Sequence, residues 1–443
     1  MNQLAAYFVL GFLSLLPAAL GQTAGDPPAE PAADARWSVH FQATSIGQEH
    51  GAFPSLYEGA NSLPPHPEHR VSLTSTAFLA FRVNSRLELV FNPEMAGGEG
   101  FGRVTGIAGF TNGEMPRVAS ATPALYPARG YVLITVPLGP EAEPVDDGVN
   151  QVAGRQPAHR LTLVAGKFGV TDFFDNNTYS HDPRGQFMNW ALMYNGAWDY
   201  PSEVRGYSAG LFAELAMPAW SVRLASAMEP TVANGPTLDT RVARNRGNVV
   251  EWERRFAPRK HPGALRAMGF ANQADAGTYL EALRSAGIPD VTSTRRNGTL
   301  KYGFGLNAEQ EIAPAIGAFG RYGWNDGKTE SFAFAEIDRT LSGGVSVDGR
   351  LWRRKKDQAA VAVVRNYISG DHRSYLAAGG MGFIIGDGRL DHYRPEDVLE
   401  TYYAWNVIKG WALTLDYQHV QNPAYNADRG PVSVASLRIH WER

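Results

Sequence analysis

Apolar and polar residues alternate with a period of two through several stretches of the chain. That is the pattern of a strand showing one face to an apolar medium and the other to water. Trp37, Val39, Phe41 and Ala43 are interleaved with Ser38, His40, Gln42 and Thr44. Leu300, Tyr302, Phe304 and Leu306 are interleaved with Lys301, Gly303, Gly305 and Asn307. The same alternation runs from Leu399 to Val407, from Trp411 to Gln418 and from Leu437 to Glu442. Beyond the N-terminus no segment offers a membrane-crossing helix. The longest charge-free stretch, Gly185 to Trp198, has 14 residues and includes two Asn, a Gln and two Gly, whereas a spanning helix needs about 20 mostly apolar residues.

A water-soluble sandwich shows the same alternation, so the aromatic residues decide. A transmembrane barrel turns its apolar face to lipid, sets Trp and Tyr at the two interfaces and keeps a polar interior. Tyr402, Tyr403, Trp405, Trp411 and Tyr417 fit such girdles. The expected fold is therefore all-β: a transmembrane antiparallel barrel of about 16 strands of about 10 residues each. Leu300, Tyr302, Phe304 and Leu306 are expected to face lipid, and Lys301 and Asn307 the lumen. Long loops are expected at Pro54–Glu68, Glu94–Tyr131, Leu138–Pro157, Asp172–Glu203 and Ala257–Arg296. Within the last, Ala274–Ala286 places Tyr279, Leu280 and Leu283 at the spacing of a short loop helix on the barrel rim.

The N-terminus agrees with export. Leu4 to Leu20 is apolar, with Pro17 near its end and Ala19-Leu20-Gly21 as a small-residue cleavage site, which reads as a signal peptide over 1–21 cut near Gly21. Residues 22–35 are rich in Ala, Pro and acidic residues and are expected to be disordered in the mature chain; the barrel domain takes 36–443. The full chain of 443 residues has 41 basic and 44 acidic side chains and no cysteine. No basic field for nucleic acid follows from that balance, and thiol catalysis, disulfides and Cys-ligated zinc are excluded.

Particular segments resemble a known family. Phe41 to His50 with Tyr57 to Leu63 is similar to the N-terminal signature of the OprB-type carbohydrate-selective outer-membrane porins, and Leu161 to Trp190 to their most characteristic block. The resemblance continues through Gly196 to Pro201, Gly320 to Lys328, Asp416 to Pro423 and Asp428 to Val432. It implies a 16-stranded barrel in a Gram-negative-type outer membrane. Small saccharides would be its solutes, outer-membrane lipid and the barrel assembly machinery its partners, and it would need no cofactor. At the C-terminus Trp441 is followed by Glu442 and Arg443, where family chains usually end on an aromatic residue.

Candidate chemistry concentrates after the strand that ends near Val170. Phe173 to Tyr200 is too long for a turn and too aromatic to hang in water; it is expected to fold back into the barrel mouth. The solute-contact candidates are Asp172, Asp175, Asn176, Arg184, Asn189, Trp190, Trp198, Asp199 and Arg205, with Arg321, Trp324 and Asp326 as a second set. Sugars stack on aromatic faces and hydrogen-bond through hydroxyls, which is the reason for choosing rings beside charges. Trp190 and Trp198 also fit an interfacial girdle without solute contact. Asp172, Asp175 and Asn177 offer the oxygen donors a Ca²⁺ ion would take, and the carboxylates of the cluster are also the residue type of glycoside hydrolysis. No nucleophile turn accompanies them, and the chain is expected not to be an enzyme. A secreted carbohydrate-active protein and a non-conducting barrel are the alternative readings; the sequence leaves oligomeric state open.

Overall fold

The structure, a computed structural model, describes residues 35–115, 120–333 and 336–443. The expected signal peptide and nearly all of the segment after it lie outside the described residues. Eighteen strands follow one another: β1 (Trp37–His50), β2 (Glu68–Asn84), β3 (Leu87–Gly98), β4 (Ala124–Pro137), β5 (Ala142–Val145), β6 (Gly154–Pro157), β7 (Arg160–Phe168), β8 (Ser208–Met217), β9 (Trp220–Met228), β10 (Arg246–Phe256), β11 (Gly263–Ala276), β12 (Arg296–Ala313), β13 (Ile316–Asn325), β14 (Arg339–Asp348), β15 (Gln358–Tyr367), β16 (Glu396–Ile408), β17 (Trp411–Gln421) and β18 (Val432–Glu442). All except the β5–β6 hairpin form one closed antiparallel barrel of 16 strands. The ring closes where β1 pairs with β18, from Gln42 opposite Glu442 to His50 opposite Val434. Closure removes the sheet edge, whose unpaired N–H and C=O groups could not be satisfied in hydrocarbon.

On β12 the alternation sorts the side chains as expected: Leu300, Tyr302, Phe304 and Leu306 are exposed on the outer face, while Lys301 and Asn307 are buried inside. Outer aromatics gather in two zones. At one end Phe41 lies 5.3 Å from Trp441, which lies 6.1 Å from Trp411; toward the other end Tyr302 and Phe304 lie 6.0 and 5.8 Å from Trp324. Tyr402 is not a girdle residue. It faces inward, buried, with its ring 5.0 Å from Phe187 and its hydroxyl donating to Gln358 Oε1 at 3.0 Å.

The two ends of the barrel differ. Two-residue connections join β2 to β3, β8 to β9, β12 to β13 and β16 to β17 at one end, while long loops occupy the other; in outer-membrane barrels these ends face the periplasm and the exterior respectively. The expected loop Ala257–Arg296 is a correction, because β11 crosses the wall there. On that strand the outer positions at its middle are the small Ala267, Gly269 and Ala271 while Met268 and Phe270 point inward between the inward Arg266 and Asn272, so apolar residues occupy both faces there and the polar alternation is interrupted. The helix expected over Ala274–Ala286 shrinks to Tyr279–Ala282, with the buried Tyr279 ring stacked 4.3 Å from His372. The expected Leu138–Pro157 loop contains the β5–β6 hairpin, tied back under the barrel by Arg82, which donates to the carbonyls of Val152 and Ala153 at 2.7 and 2.9 Å.

The apolar core sits inside the barrel rather than between layers. Phe110, Trp190, Leu192, Met193, Trp198, Ile337 and Ile385, all from loops, are buried together there. Loops from the long end therefore fold inward and fill much of the lumen.

Candidate functional site

The loop formed by residues 169–207 is the main occupant of the lumen. It leaves β7 through a short 3₁₀ turn, Val170–Asp172, and is fixed at once. Arg129 on β4 grips Asp172 with two parallel hydrogen bonds of 2.7 and 2.5 Å, and Phe173 stacks on Phe212 of β8 at 4.2 Å. Asp175, at φ 55°, turns the chain along the opposite wall. Its amide donates to Glu251 of β10 at 2.8 Å, and its carboxylate accepts from Asn307 Nδ2 at 2.7 Å and pairs with Arg321 Nε at 3.1 Å. Arg321 is fully buried and donates also to the carbonyls of Ser180 and Leu192 at 2.6 and 2.9 Å. One guanidinium thus holds three separate points of the loop, matching its fixed fork of donors.

Inward glycines of the wall act as sockets. Gly305 and Gly323 are register partners on β12 and β13, and a Cβ on either would lie 2.1 or 1.8 Å from the Asn195 amide. Gly317, near the short-turn end of β13, leaves room for the Tyr179 ring, which a Cβ would meet at 2.0 Å. The loop therefore descends from the long-loop end through most of the barrel. Its tip is held there by Arg438 of β18, which donates to the carbonyls of Pro183 and Gln186 at 2.6 and 2.7 Å.

The remaining candidates divide into three groups. Asn189 is a helix cap: its Oδ1 accepts from the Ala191 amide at 3.0 Å at the start of the turn Trp190–Met193, and its Nδ2 donates to Gly109 O and Gln418 Oε1. Trp190 and Trp198 are 4 % and 2 % exposed. They form the core of the loop, Trp190 stacking on Phe110 at 5.0 Å and Trp198 meeting Tyr200 at 5.3 Å, so neither ring offers a free face to solute or to the membrane interface. Arg184 bonds Glu114 and Glu94 at 2.8 and 2.9 Å. Asp199 accepts the amides of Phe332 and Ala333 and pairs with Lys301 at 3.3 Å. These residues hold the loop in place inside the lumen.

Asp172, Asn176, Arg205 and Asp326 keep part of their surface open. Arg205 lies over the Tyr126 ring at 3.8 Å near the long-loop end of β4. Burial, partly offset by Lys301, raises the Asp326 carboxyl above the usual carboxylate range. Trp324 corrects the expectation: it sits on the outer face between Tyr302 and Phe304 because odd positions on β13 point inward and even ones outward.

The calcium reading fails on its donors. The Asp172 carboxylate is occupied by Arg129, that of Asp175 by Arg321, and Asn177 Oδ1 accepts the Tyr179 amide at 2.9 Å. Among the described residues no group of three or more His, Cys, Asp or Glu is placed to hold a metal ion. Sequence reasoning missed the wall partners. Below the loop, Glu214, Arg223, Glu253, Arg266 and Glu309 form an alternating belt across five adjacent strands, with contacts of 2.8, 3.1, 2.7 and 3.3 Å. Each lies on an inward position of its strand, so the parity of β8 to β12 was the signal that could have found them. Thr178 and Tyr179 overlook this belt, the Thr178 amide donating to Glu309 at 2.7 Å. Burial and then the nearby Arg321 hold the His181 imidazole below its usual 6.5.

Comparison with known proteins places this geometry among pores. A family model described as carbohydrate-selective porin, OprB family, matches residues 149–442. A high-pH structure of Pseudomonas putida OprB aligns over 92 % of this chain and 94 % of its own, with a TM-score of 0.66 and 15 % identity. The outer membrane channel DcaP of Acinetobacter baumannii aligns over 93 % and 100 %, with a TM-score of 0.50 and 7 % identity. At such identities the likeness speaks to the fold. No curated protein sequence matches the chain.

Proposed function

From the premise that this chain belongs to the OprB family of carbohydrate-selective porins, we propose that small neutral saccharides cross the outer membrane by diffusing past the inward-folded 169–207 loop. No cofactor or energy input enters this reading. One observation carries it: a closed barrel has its lumen narrowed by a loop that polar groups of the wall hold at many points along its length. A loop so fixed leaves a passage of defined cross-section, while the side chains still open to water are those available to a solute.

On the loop these open groups include Asp172, Phe173, Asn176, Thr178, Tyr179, Asp182 and Gln186. They mix two rings with hydrogen-bonding groups, the combination that suits a sugar with one apolar face and a rim of hydroxyls. A hydrolase reading finds no support in Asp172, Asp175 and Asp199, each committed to a cation or to backbone amides, while the exposed Asp182 accepts the Arg184 amide and, among the described residues, no second carboxylate is hydrogen-bonded to it. The outer face, apolar between two aromatic zones, is suited to outer-membrane lipid, and insertion would fall to the barrel assembly machinery. Liposome swelling with sugars of increasing size tests the reading. Entry of glucose-sized solute above that of empty liposomes, with a cut-off at larger oligosaccharides, is expected; equal rates would refute it.

A further inference from the structure

Two carboxyl groups on one strand hold two of the loops that fold into the lumen. Glu396 and Glu400 lie four residues apart on the inner face of β16 and are 0 % exposed. The Glu396 carboxyl accepts the amides of Ala108 and Gly109, in the loop between β3 and β4, at 2.9 and 2.7 Å, and that of Ala424 at 2.8 Å. The Glu400 carboxyl accepts the amides of Met188 and Asn189, in the 169–207 loop, at 2.5 and 3.0 Å. At roughly 3.4 Å per residue the two grips stand about 14 Å apart along the strand.

The gripped segments are also locked to each other. Trp190 N donates to Phe110 O at 3.0 Å, Gly113 N to Met188 O at 2.7 Å and Asn189 Nδ2 to Gly109 O at 2.8 Å, beneath the stacked Phe110 and Trp190 rings. The two loops therefore form one body, and β16 fixes its distance from that wall. We propose that Glu396 and Glu400 are positioning residues that set the bore of the channel and hence its upper limit of saccharide size. Each carboxyl satisfies two or more adjacent buried amides, which a single amide or hydroxyl oxygen does less well, and unsatisfied buried N–H groups drive a segment toward water. With the grip lost, the double-loop body is free to shift from its place on β16 and the bore changes, while the barrel ladder is untouched.

This inference rests on the proposed diffusion of saccharides, and the experiment separates the two. Glu400→Gln and Glu396→Gln preserve volume and remove one acceptor each; Glu400→Ala removes both. Barrel integrity is read from the migration of unboiled protein on a gel, and the Gln variants carry the test where the Ala variant does not fold. The expected result is a single-channel conductance and a size cut-off in liposome swelling that both shift from the wild-type values. Because the chain has no cysteine, Met188→Cys and Ile107→Cys give local readouts that general destabilisation would not separate. Glu400→Gln should speed thiol labelling at position 188 more than at 107, and Glu396→Gln the reverse. Unchanged conductance, cut-off and labelling in folded variants would overturn the proposal while leaving wild-type glucose entry standing; no glucose entry in the wild type would remove the transport reading itself.

Discussion

Arg321 shows how much one side chain does in this lumen. It is 2 % exposed, pairs with Asp175 and donates to two loop carbonyls. Removing it leaves the Asp175 carboxylate buried without its cation, a loss that costs about 3–5 kcal/mol in comparable buried pairs. Arg321→Ala is therefore expected to unfold at markedly lower denaturant concentration in detergent, and unchanged stability would show that the loop is held by other means. On the outer face the opposite change is instructive: Phe304→Arg sets a charge against lipid, at a cost of about 2–4 kcal/mol near the bilayer midplane, readable as reduced assembly into vesicles. Inward and outward residues were legible wherever alternation was clean. On β13 the motif Gly-Arg-Tyr-Gly-Trp advertised chemistry, but only parity shows that Arg321 and the socket Gly323 point in while Trp324 points out. Likewise the density of rings in Phe173–Tyr200 correctly suggests inward folding, yet it cannot distinguish a ring that offers its face to a sugar from one buried in the core of the loop. Trp190 and Trp198 are the second kind.

At the scale of elements, strands that face lipid with large residues and the lumen with polar ones are readable from sequence; β11 is not, because Met268 and Phe270 pack inward on loop residues. An apolar loop core inside a barrel erases the polar face that the pattern depends on. The same core is expected to make the 169–207 loop responsive to pH. The His181 ring packs edge-on against Tyr194 at 5.0 Å, with Arg321, Asp175, Asp182 and Asp172 as the charged groups around it. Its imidazole is held below the usual 6.5 by burial and by Arg321, and the folded loop therefore binds its proton less readily than the released one. Docking is then fully favoured above that usual value and is weakened as the pH falls through it toward the depressed value. Thiol labelling at Met188→Cys, taken relative to that of the unfolded chain at the same pH because the thiolate is the reacting species, is expected to rise between neutral pH and acid, and a His181→Asn background to flatten that rise. An identical pH profile in the two backgrounds would assign the response to other groups.

For the whole molecule the decisive contact is the one farthest apart in sequence. β1 and β18 meet across nearly the full described chain, with Ser45 opposite Ile439 and reciprocal hydrogen bonds of 2.9 Å between Phe41 and Arg443. Neither strand has another partner on that side, so an unclosed barrel would present two bare edges to lipid. Directly opposed residues in an antiparallel pair have Cα atoms about 4.5–5.5 Å apart, within the range a disulfide bridges. Both Ser45 and Ile439 lie on the outer face, away from the loop network, and the native chain has no cysteine to compete. A Ser45→Cys, Ile439→Cys double variant exported to an oxidising compartment is therefore expected to form a bond that converts the barrel into a covalent ring. After boiling without reductant it should migrate as a more compact species than the wild type, and with reductant the two should coincide. Shifting the second cysteine by one residue, to Arg438, turns its side chain into the lumen and should abolish the bond. Bridging at 438 in preference to 439 would reverse the facing of the whole wall, and bridging at neither would mean that the ring does not close between these strands.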